Sequence, residues 1–144
     1  MMRSEDRKAG ALLEPKTLGP LTRTDFVRYQ GASGDMNPIH HDETVARGAG
    51  YEAPLAVGMF HAGALAAHAA GWLGPENVRS TRIRWKAQVW PGDVLTLTGE
   101  VTRTYVVAES GEERADVKLA CARQTGEIAV EGWMTFAFGV ATSS

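Results

Sequence analysis

The sequence predicts an α+β fold in which an antiparallel sheet wraps around one central helix. Helical patterns lie in the first half of the chain, whereas the second half reads as consecutive strands, and such segregation is typical of α+β proteins. The central helix, Gly58–Trp72, is built largely from Ala and Gly, so little side-chain bulk stands on any side of it. A sheet can therefore approach this helix closely from several directions, which a surface helix would not require.

The elements of the first half follow from capping and breaking signals. Thr22 with Asp25 three residues later resembles a capping box, which starts a helix, and Gly74-Pro75 ends the central one. In chain order we expect a flexible tail over residues 1–14, a short strand near Lys16–Leu21, and a helix that starts at Thr22 and is ended by Gly31–Gly34. A loop over Asp35–His40 follows, then a short helix starting at Asp42, a second loop over Gly48–Pro54, and the central helix.

The second half predicts four strands joined by turns. Alternating polar and apolar residues indicate the strands, and Pro91-Gly92-Asp93, Gly111 and Thr125-Gly126 mark the turns between them. The predicted strands are Arg82–Val89, Val94–Val107, Arg114–Gln124 and Glu127–Phe138. A chain of 144 residues suits one core, so we expect residues 15–144 to form a single domain.

Composition narrows the possible partners. The net charge of −2 gives no electrostatic reason to expect binding to nucleic acid or to an anionic membrane. The N-terminal residues lack the apolar core of a signal peptide, and no apolar stretch approaches the ~20 residues that span a bilayer. The lone cysteine, Cys121, excludes an internal disulfide and fits a reducing compartment. We therefore expect a cytoplasmic protein.

The segment Asp35–His40 carries the clearest chemical signal. An acid and an imidazole lie five residues apart, separated by Asn37-Pro38, which cannot continue a helix. The resulting bend can turn both side chains toward one point, where a carboxylate and a histidine can hold and polarise one water. That is the minimum needed to add water to a double bond, or to remove it, by general acid–base catalysis.

The same segment resembles a family signature. The run Gly34-Asp35-x-Asn37-Pro38-Ile39-His40, followed by Ala46, is similar to that of the MaoC-like (R)-specific enoyl-CoA hydratases and of 3-hydroxyacyl-thioester dehydratase subunits. The likeness covers roughly residues 15–138 and includes Gly58-Met59, Arg84-Trp85-Lys86 and Pro91-Gly92-Asp93. It implies a hot-dog fold, a thioester substrate, and catalysis by Asp35 and His40. The chain departs from it at Val57, where many members have His, and at Gly63 or Ala66, where some have Ser.

Residues near Asp35 and His40 are expected to position this pair or to bind the substrate. Asn37 is expected to organise the loop through its amide, whereas Ser33 either donates a hydrogen bond to the Asp35 carboxylate or ends the preceding helix. Ala56 and Val57 provide no side-chain cap before Gly58-Met59. The N–H groups at this helix start can therefore stabilise negative charge on the thioester oxygen, and the missing side chain of Gly58 gives that oxygen room. The alternative is that water accepts hydrogen bonds from these N–H groups.

The histidines raise the question of a metal. His40-His41-Asp42, with His61 or His68, invites such a reading, but adjacent histidines on an extended backbone point to opposite sides. We expect no metal site, an exposed His41, and hydrogen-bonded helix histidines at 61 and 68, although His61 lies early enough in the helix to line a substrate path.

Three basic residues are expected on one face of a strand. Arg82, Arg84 and Lys86 alternate with Ile83 and Trp85. This face is either simply solvated or a grip for the phosphates of coenzyme A or for an acidic carrier protein.

The sequence thus predicts a hydratase or dehydratase acting on 2-enoyl or 3-hydroxyacyl thioesters, with coenzyme A or acyl carrier protein as part of the substrate and no separate cofactor. A hot-dog thioesterase is one alternative, and one subunit of a heteromeric dehydratase is another. A single sheet around one small-residue helix leaves an edge to cover. We therefore expect at least a homodimer joined edge to edge, with a heterodimer as the alternative and the active site near the interface.

Overall fold

The computed structural model describes residues 2–140, which form five strands and three α-helices. The helices are α1 (Arg23–Ser33), α2 (Glu43–Gly48) and α3 (Gly58–Leu73). The strands are β1 (Leu12–Leu18), β2 (Val78–Trp85), β3 (Leu95–Val106), β4 (Glu112–Arg123) and β5 (Ile128–Val140). Short 3-10 helices cover Ser4–Arg7, Pro38–His40 and Pro75–Asn77. None of the helices in this part of the chain has the length and apolarity needed to cross a membrane.

All five strands form one antiparallel sheet in the order β1-β3-β4-β5-β2, and α3 contacts every one of them. The core lies between the helix and the sheet, where Leu65 and Leu73 of α3 pack with Leu97, Leu119 and Phe136. These side chains are fully buried. The predicted α+β architecture, an antiparallel sheet wrapped around a helix of small residues, is confirmed.

The N-terminal segment differs from the expected flexible tail. Residues Ser4–Arg7 form a 3-10 helix, and β1 begins at Leu12 instead of near Lys16. Leu13 is buried and pairs with Gly99 of β3, whose missing side chain leaves room for it. Burial of this leucine against β3 extends the strand toward the N-terminus, and that contact joins residues far apart in the sequence.

Strand β2 lies four residues earlier than predicted. It pairs with β5 from Val78 opposite Phe136 to Trp85 opposite Val130. Beyond Trp85 the backbone N–H groups of Lys86 and Ala87 both approach the Ala129 carbonyl, at 2.8 and 3.3 Å, so the regular ladder ends there. The alternation through Ala87 and Val89 therefore does not continue the strand, although Val89 is buried.

Candidate active site

The loop that carries the predicted acid starts at the C-terminus of α1. Gly34 has φ of 80°, a left-handed conformation that glycine adopts without strain, and its N–H donates to the Gln30 carbonyl. The Ser33 hydroxyl then accepts a hydrogen bond of 3.2 Å from the Asp35 backbone N–H. Of the two roles considered for Ser33, shaping the helix end is the one observed, and its hydroxyl bonds the Asp35 backbone instead of the carboxylate.

Asn37 organises the bend, as expected. Its side-chain oxygen accepts from the Ile39 N–H at 3.1 Å and caps the 3-10 helix Pro38–His40. Its own N–H donates to Oδ1 of Asp35 at 3.2 Å. One residue thus fixes both the acid before it and the turn that leads to His40.

Gln30 is a part of the site that the sequence did not reveal. It is only 2% exposed, and its amide N–H groups donate to the carbonyls of Asp35 at 2.8 Å and Asn37 at 3.0 Å. Its side-chain oxygen lies 2.9 Å from Nδ1 of His41, which is exposed as predicted. The available signal was the spacing of Phe26 and Gln30, which places both on the buried face of α1.

His40 is held in one orientation by the backbone. Its Nδ1 lies 2.8 Å from the Leu55 carbonyl oxygen, which can only accept, so Nδ1 carries the proton. The other ring nitrogen, Nε2, is 4.0 Å from Oδ2 of Asp35. The His40 side chain is 11% exposed and that of Asp35 45% exposed, so the acid faces the surface and the imidazole lies beneath it.

The 4.0 Å separation suits an intervening water. It exceeds the ~2.7–3.2 Å of a direct hydrogen bond. In the neutral tautomer with its proton on Nδ1, His40 offers Nε2 as an acceptor, so a single water can donate one hydrogen to Nε2 and one to the carboxylate. Its oxygen lone pair then remains available for attack.

The pair is tied to the start of α3. Leu55, whose carbonyl holds His40, lies three residues before Gly58. On the other side, α1 packs against the first turn of α3, where the rings of Tyr29 and Phe60 meet edge-on at 5.6 Å. These contacts set the candidate acid–base pair and the predicted oxyanion site on the same side of the molecule.

The start of α3 departs in part from expectation. Val57 provides no side-chain cap, so the first N–H groups of the helix lack a side-chain acceptor. The position where a Gly58 side chain would stand, however, lies 2.8 Å from Nε1 of Trp85, and that indole donates to the Gly58 carbonyl at 2.9 Å. The space expected to admit a thioester oxygen over Gly58 is therefore filled by Trp85. Met59, next to it, is 50% exposed.

Arg82 and Arg84 share one face of β2, as predicted, and Lys86 follows the last residue of the strand, but the three do not gather at the Asp35–His40 pair. The Arg82 guanidinium stacks over Trp133 at 4.6 Å on the sheet face away from α3. Lys86 forms an ion pair of 3.7 Å with Glu131 and also lines a cavity beside Gly58. Of the three residues, only Lys86 is thus close to the start of α3, and Arg84 lies opposite Glu131 in the ladder.

The two histidines of α3 differ sharply. Nε2 of His68 lies 2.7 Å from the Glu14 carbonyl, as a hydrogen-bonded helix histidine should. His61 is 2% exposed, and neither of its ring nitrogens has a hydrogen-bond partner, which contradicts the expectation for this position. Burial lowers the pKa of His61 to about 4. Within residues 2–140 no three His, Cys, Asp or Glu side chains lie close enough to form a metal site.

Known proteins share this sequence pattern and fold. A family model described as the MaoC-like domain matches residues 8–123. A 3-hydroxybutyryl-CoA dehydratase from Methylorubrum extorquens is 31% identical over 115 residues, which span 78% of this chain and 69% of that protein.

Solved structures extend the comparison to the fold. The (R)-hydratase PhaJ1 from Pseudomonas aeruginosa superposes with a TM-score of 0.76 at 22% identity, covering 93% of this chain and 83% of that one. A chain of the ChsH1-ChsH2 complex from Mycobacterium tuberculosis gives 0.75 at 23% identity, covering 90% and 97%. At these identities the likeness shows the hot-dog fold.

Proposed function

The chain belongs to the MaoC-like dehydratase family, and on that premise we propose that it hydrates 2-enoyl thioesters and dehydrates (R)-3-hydroxyacyl thioesters with Asp35 and His40. A hydro-lyase of this kind needs a polarised water above the double bond. The observation that carries the proposal is the orientation of His40, whose anchored Nδ1 leaves Nε2 facing the Asp35 carboxylate across 4.0 Å.

In the hydration direction the pair holds one water over C3 of the substrate. As the water oxygen attacks C3, one member of the pair takes a proton from it, and the pair then delivers that proton to C2 from the same face. The pair ends in its starting protonation state, so the sum is the addition of one water. Positioned acid–base groups of this kind are typically worth ~10²–10⁴ in rate.

Negative charge that builds on the thioester oxygen needs donors. The uncapped N–H groups in the first turn of α3 supply them, and the helix dipole favours the charge. Because Trp85 covers the side-chain position of Gly58, the oxygen approaches from the side of Met59, which is 50% exposed. Because Gly58 has no side chain, the Trp85 indole can pack against the start of α3.

The thioester carrier is the second part of the substrate. Coenzyme A or acyl carrier protein brings the acyl group, and the chemistry above requires no separate metal or redox cofactor. Lys86 is placed to meet a carrier phosphate near the start of α3, whereas Arg82 is stacked on Trp133, on the sheet face away from α3. Arg84, opposite Glu131, is the third candidate for this contact.

The site is open in a single chain, so we propose that a second copy covers it. The Asp35 side chain is 45% exposed, and the neighbouring Met36 is 60% exposed. Strand β2 lies at one edge of the sheet, where its outer backbone groups can pair with another chain. A homodimer joined at this edge would bring parts of both chains to the active site. Light scattering that shows an active monomer would contradict this assembly.

Two alternatives remain for comparison. A hot-dog thioesterase would hydrolyse the same substrates, but the bend at Asn37-Pro38 sets the acid and the base around a water-sized gap, which suits addition to a double bond. A heteromeric assembly has a parallel in the ChsH1-ChsH2 complex. Since this chain carries both members of the pair, it would be the active subunit.

One assay separates these possibilities. Purified protein is incubated with crotonyl-CoA while loss of the enoyl absorbance and release of free thiol are followed together. A hydratase removes the enoyl signal without releasing thiol, a thioesterase releases thiol, and a subunit that needs a partner does neither. Thiol release at the rate of substrate loss would overturn the proposal.

A further inference from the structure

His61 is a buried polar group without a role in the chemistry described above. It lies in the first turn of α3, is 2% exposed, and has no hydrogen-bond partner for either ring nitrogen among the described residues. A buried imidazole in this state destabilises the protein, because both nitrogens have lost water and gained nothing in exchange. A leucine in the same place would avoid that cost. We therefore expect His61 to form a hydrogen bond with a group from outside the chain.

The cavity beside His61 indicates what the partner is. It has a volume of about 410 Å³ and is lined by Gly58, His61, Trp85, Lys86, Ala87 and Gln88. The lining thus combines two apolar side chains with an imidazole, an ammonium and an amide. All three polar groups have N–H donors to offer, so the cavity suits an oxygen that accepts hydrogen bonds more than an alkyl chain.

The cavity is also adjacent to the proposed reaction centre. Gly58, which lines it, begins the helix whose N–H groups face the thioester oxygen, and His61 follows three residues later in the same turn. A substrate bound at the start of α3 can therefore extend a group into this cavity. The imidazole torsion χ2 is broad and roughly two-fold, so rotation of the ring can bring a nitrogen toward the cavity without displacing α3.

We propose that His61 selects acyl thioesters that carry a second oxygen, a hydroxyl or a carboxylate, beyond the double bond. This inference rests on the proposed function, since it names the acyl group that the same site accepts. The neutral imidazole donates one hydrogen bond to that oxygen, and the Gln88 amide lines the same cavity. Burial keeps His61 neutral at pH 7, because it lowers the pKa of this residue to about 4.

The test compares substrates that differ only in the oxygen. Terminally hydroxylated 2-enoyl-CoA thioesters of four to six acyl carbons are each paired with the analogue in which a methyl group replaces the hydroxyl, and a carboxylated series is run alongside. We expect kcat/KM for at least one oxygenated substrate to exceed that of its alkyl partner by about tenfold or more, the usual effect of leaving a buried donor unpaired. If the hydroxylated series is preferred, the bound oxygen belongs to a hydroxyl. If the carboxylated series is preferred, it belongs to a carboxylate.

The variant His61→Leu should lower kcat/KM for the preferred oxygenated substrate by about tenfold relative to its alkyl partner, so that the preference is lost. His68→Leu is the matched control, because His68 lies on the same helix with its Nε2 already bonded to the Glu14 carbonyl. It should leave the substrate ratio unchanged. A role for His61 in packing alone would lower kcat/KM for both members of each pair equally, and that result would overturn the inference.

A measurement on the unaltered protein keeps the inference testable if His61→Leu does not fold. Saturated glutaryl-CoA and pentanoyl-CoA are compared as competitive inhibitors, together with terminally hydroxylated saturated thioesters. At least tenfold tighter binding of one oxygenated thioester over its alkyl partner is expected. If no enoyl thioester is hydrated at all, the proposed function fails. If alkyl substrates are hydrated and no oxygenated ligand is preferred, only the selection by His61 is wrong.

Discussion

Two aspartates in bent loops, Asp35 and Asp93, are held in opposite ways. Asp93 is 3% exposed, and its carboxylate accepts from the Trp90 N–H at 2.8 Å, from Nε of Arg123 at 2.8 Å and from the Gln124 amide at 2.9 Å. Burial by itself raises the pKa of Asp93, but the hydrogen bonds from Arg123 and Gln124 outweigh it and hold the pKa below its usual range.

The Asp35 carboxylate accepts far fewer hydrogen bonds than that of Asp93. Its side chain is 45% exposed, and Oδ1 accepts one hydrogen bond of 3.2 Å from the Asn37 N–H. Oδ2 faces His40 across 4.0 Å and can accept from water. A carboxylate surrounded by donors therefore fixes a turn, whereas one that accepts few hydrogen bonds keeps an oxygen open to a water beside His40.

The largest expected effect tests the Asp35 side of this comparison. Asp35→Asn, His40→Ala and the double variant should each lower kcat/KM by about 10²–10⁴ and reach a similar residual rate, because both groups act on one water. Steady-state kinetics with crotonyl-CoA measures this. A single variant that keeps more than a tenth of the activity, or strictly additive losses, would show that the pair does not share one water.

The matched change at Asp93 should damage stability instead. Asp93→Asn leaves the Arg123 guanidinium without its buried partner and should lower the free energy of unfolding by roughly 3–5 kcal/mol. The low end of that range is expected, because Glu127 still pairs with Arg123 at 2.7 Å. Urea unfolding measures the loss. Folded Asp93→Asn protein should retain near-normal kcat, and a large drop in kcat would place Asp93 in the chemistry.

His61 extends the comparison to a buried group with no partner at all. Its folded pKa of about 4 lies below the unfolded value of 6.5, so the unfolded chain binds the extra proton first. Stability should therefore be full above pH 6.5 and fall by about 2 kcal/mol between pH 7.5 and pH 5 from this residue alone. Unfolding curves of wild type and His61→Leu at both pH values isolate it. The two proteins losing the same amount would contradict the assignment.

The smallest effect concerns how the Asp35 loop is held. Gln30→Leu removes two donors from the loop carbonyls, at 2.8 and 3.0 Å, and should lower the free energy of unfolding by about 1–3 kcal/mol. Activity should fall about tenfold, mainly in kcat, since the pair keeps its groups but loses its spacing. Gln30→Glu, which keeps one oxygen acceptor for His41 but not the donors, should behave like Gln30→Leu. Full activity in either variant would mean that Asn37 alone fixes the loop.

Local signals in the sequence predicted much of the fold. The capping box at Thr22 and Asp25 is present, with the Asp25 N–H donating to the Thr22 hydroxyl at 3.1 Å. Asp42 caps α2, and the small-residue helix occupies the centre of the sheet. These features depend on residues close in the chain or on composition, so one sequence suffices to find them.

The local geometry of the candidate site was predictable to a similar extent. The geometry of Asp35, Asn37 and His40 follows from neighbours within a few residues, whose turn chemistry is written in the sequence. His40 is held by the carbonyl of Leu55, fifteen residues away. Because every residue has a backbone carbonyl, the residue type at position 55 does not reveal this hydrogen bond. Gln30 was missed for the same reason, because its donors bond backbone carbonyls of the folded loop.

By itself the sequence determined the fold class, the central helix and the Asp35–His40 pair, since each rests on short-range stereochemistry or on a continuous motif. The tertiary structure alone decided that Leu13 joins the core, that β2 ends at Trp85, and that this indole covers Gly58. It also decided that His61 is buried without a partner. These outcomes depend on which distant residues meet across the sheet and the helix, and long-range packing is a property of the assembled core that no local pattern encodes.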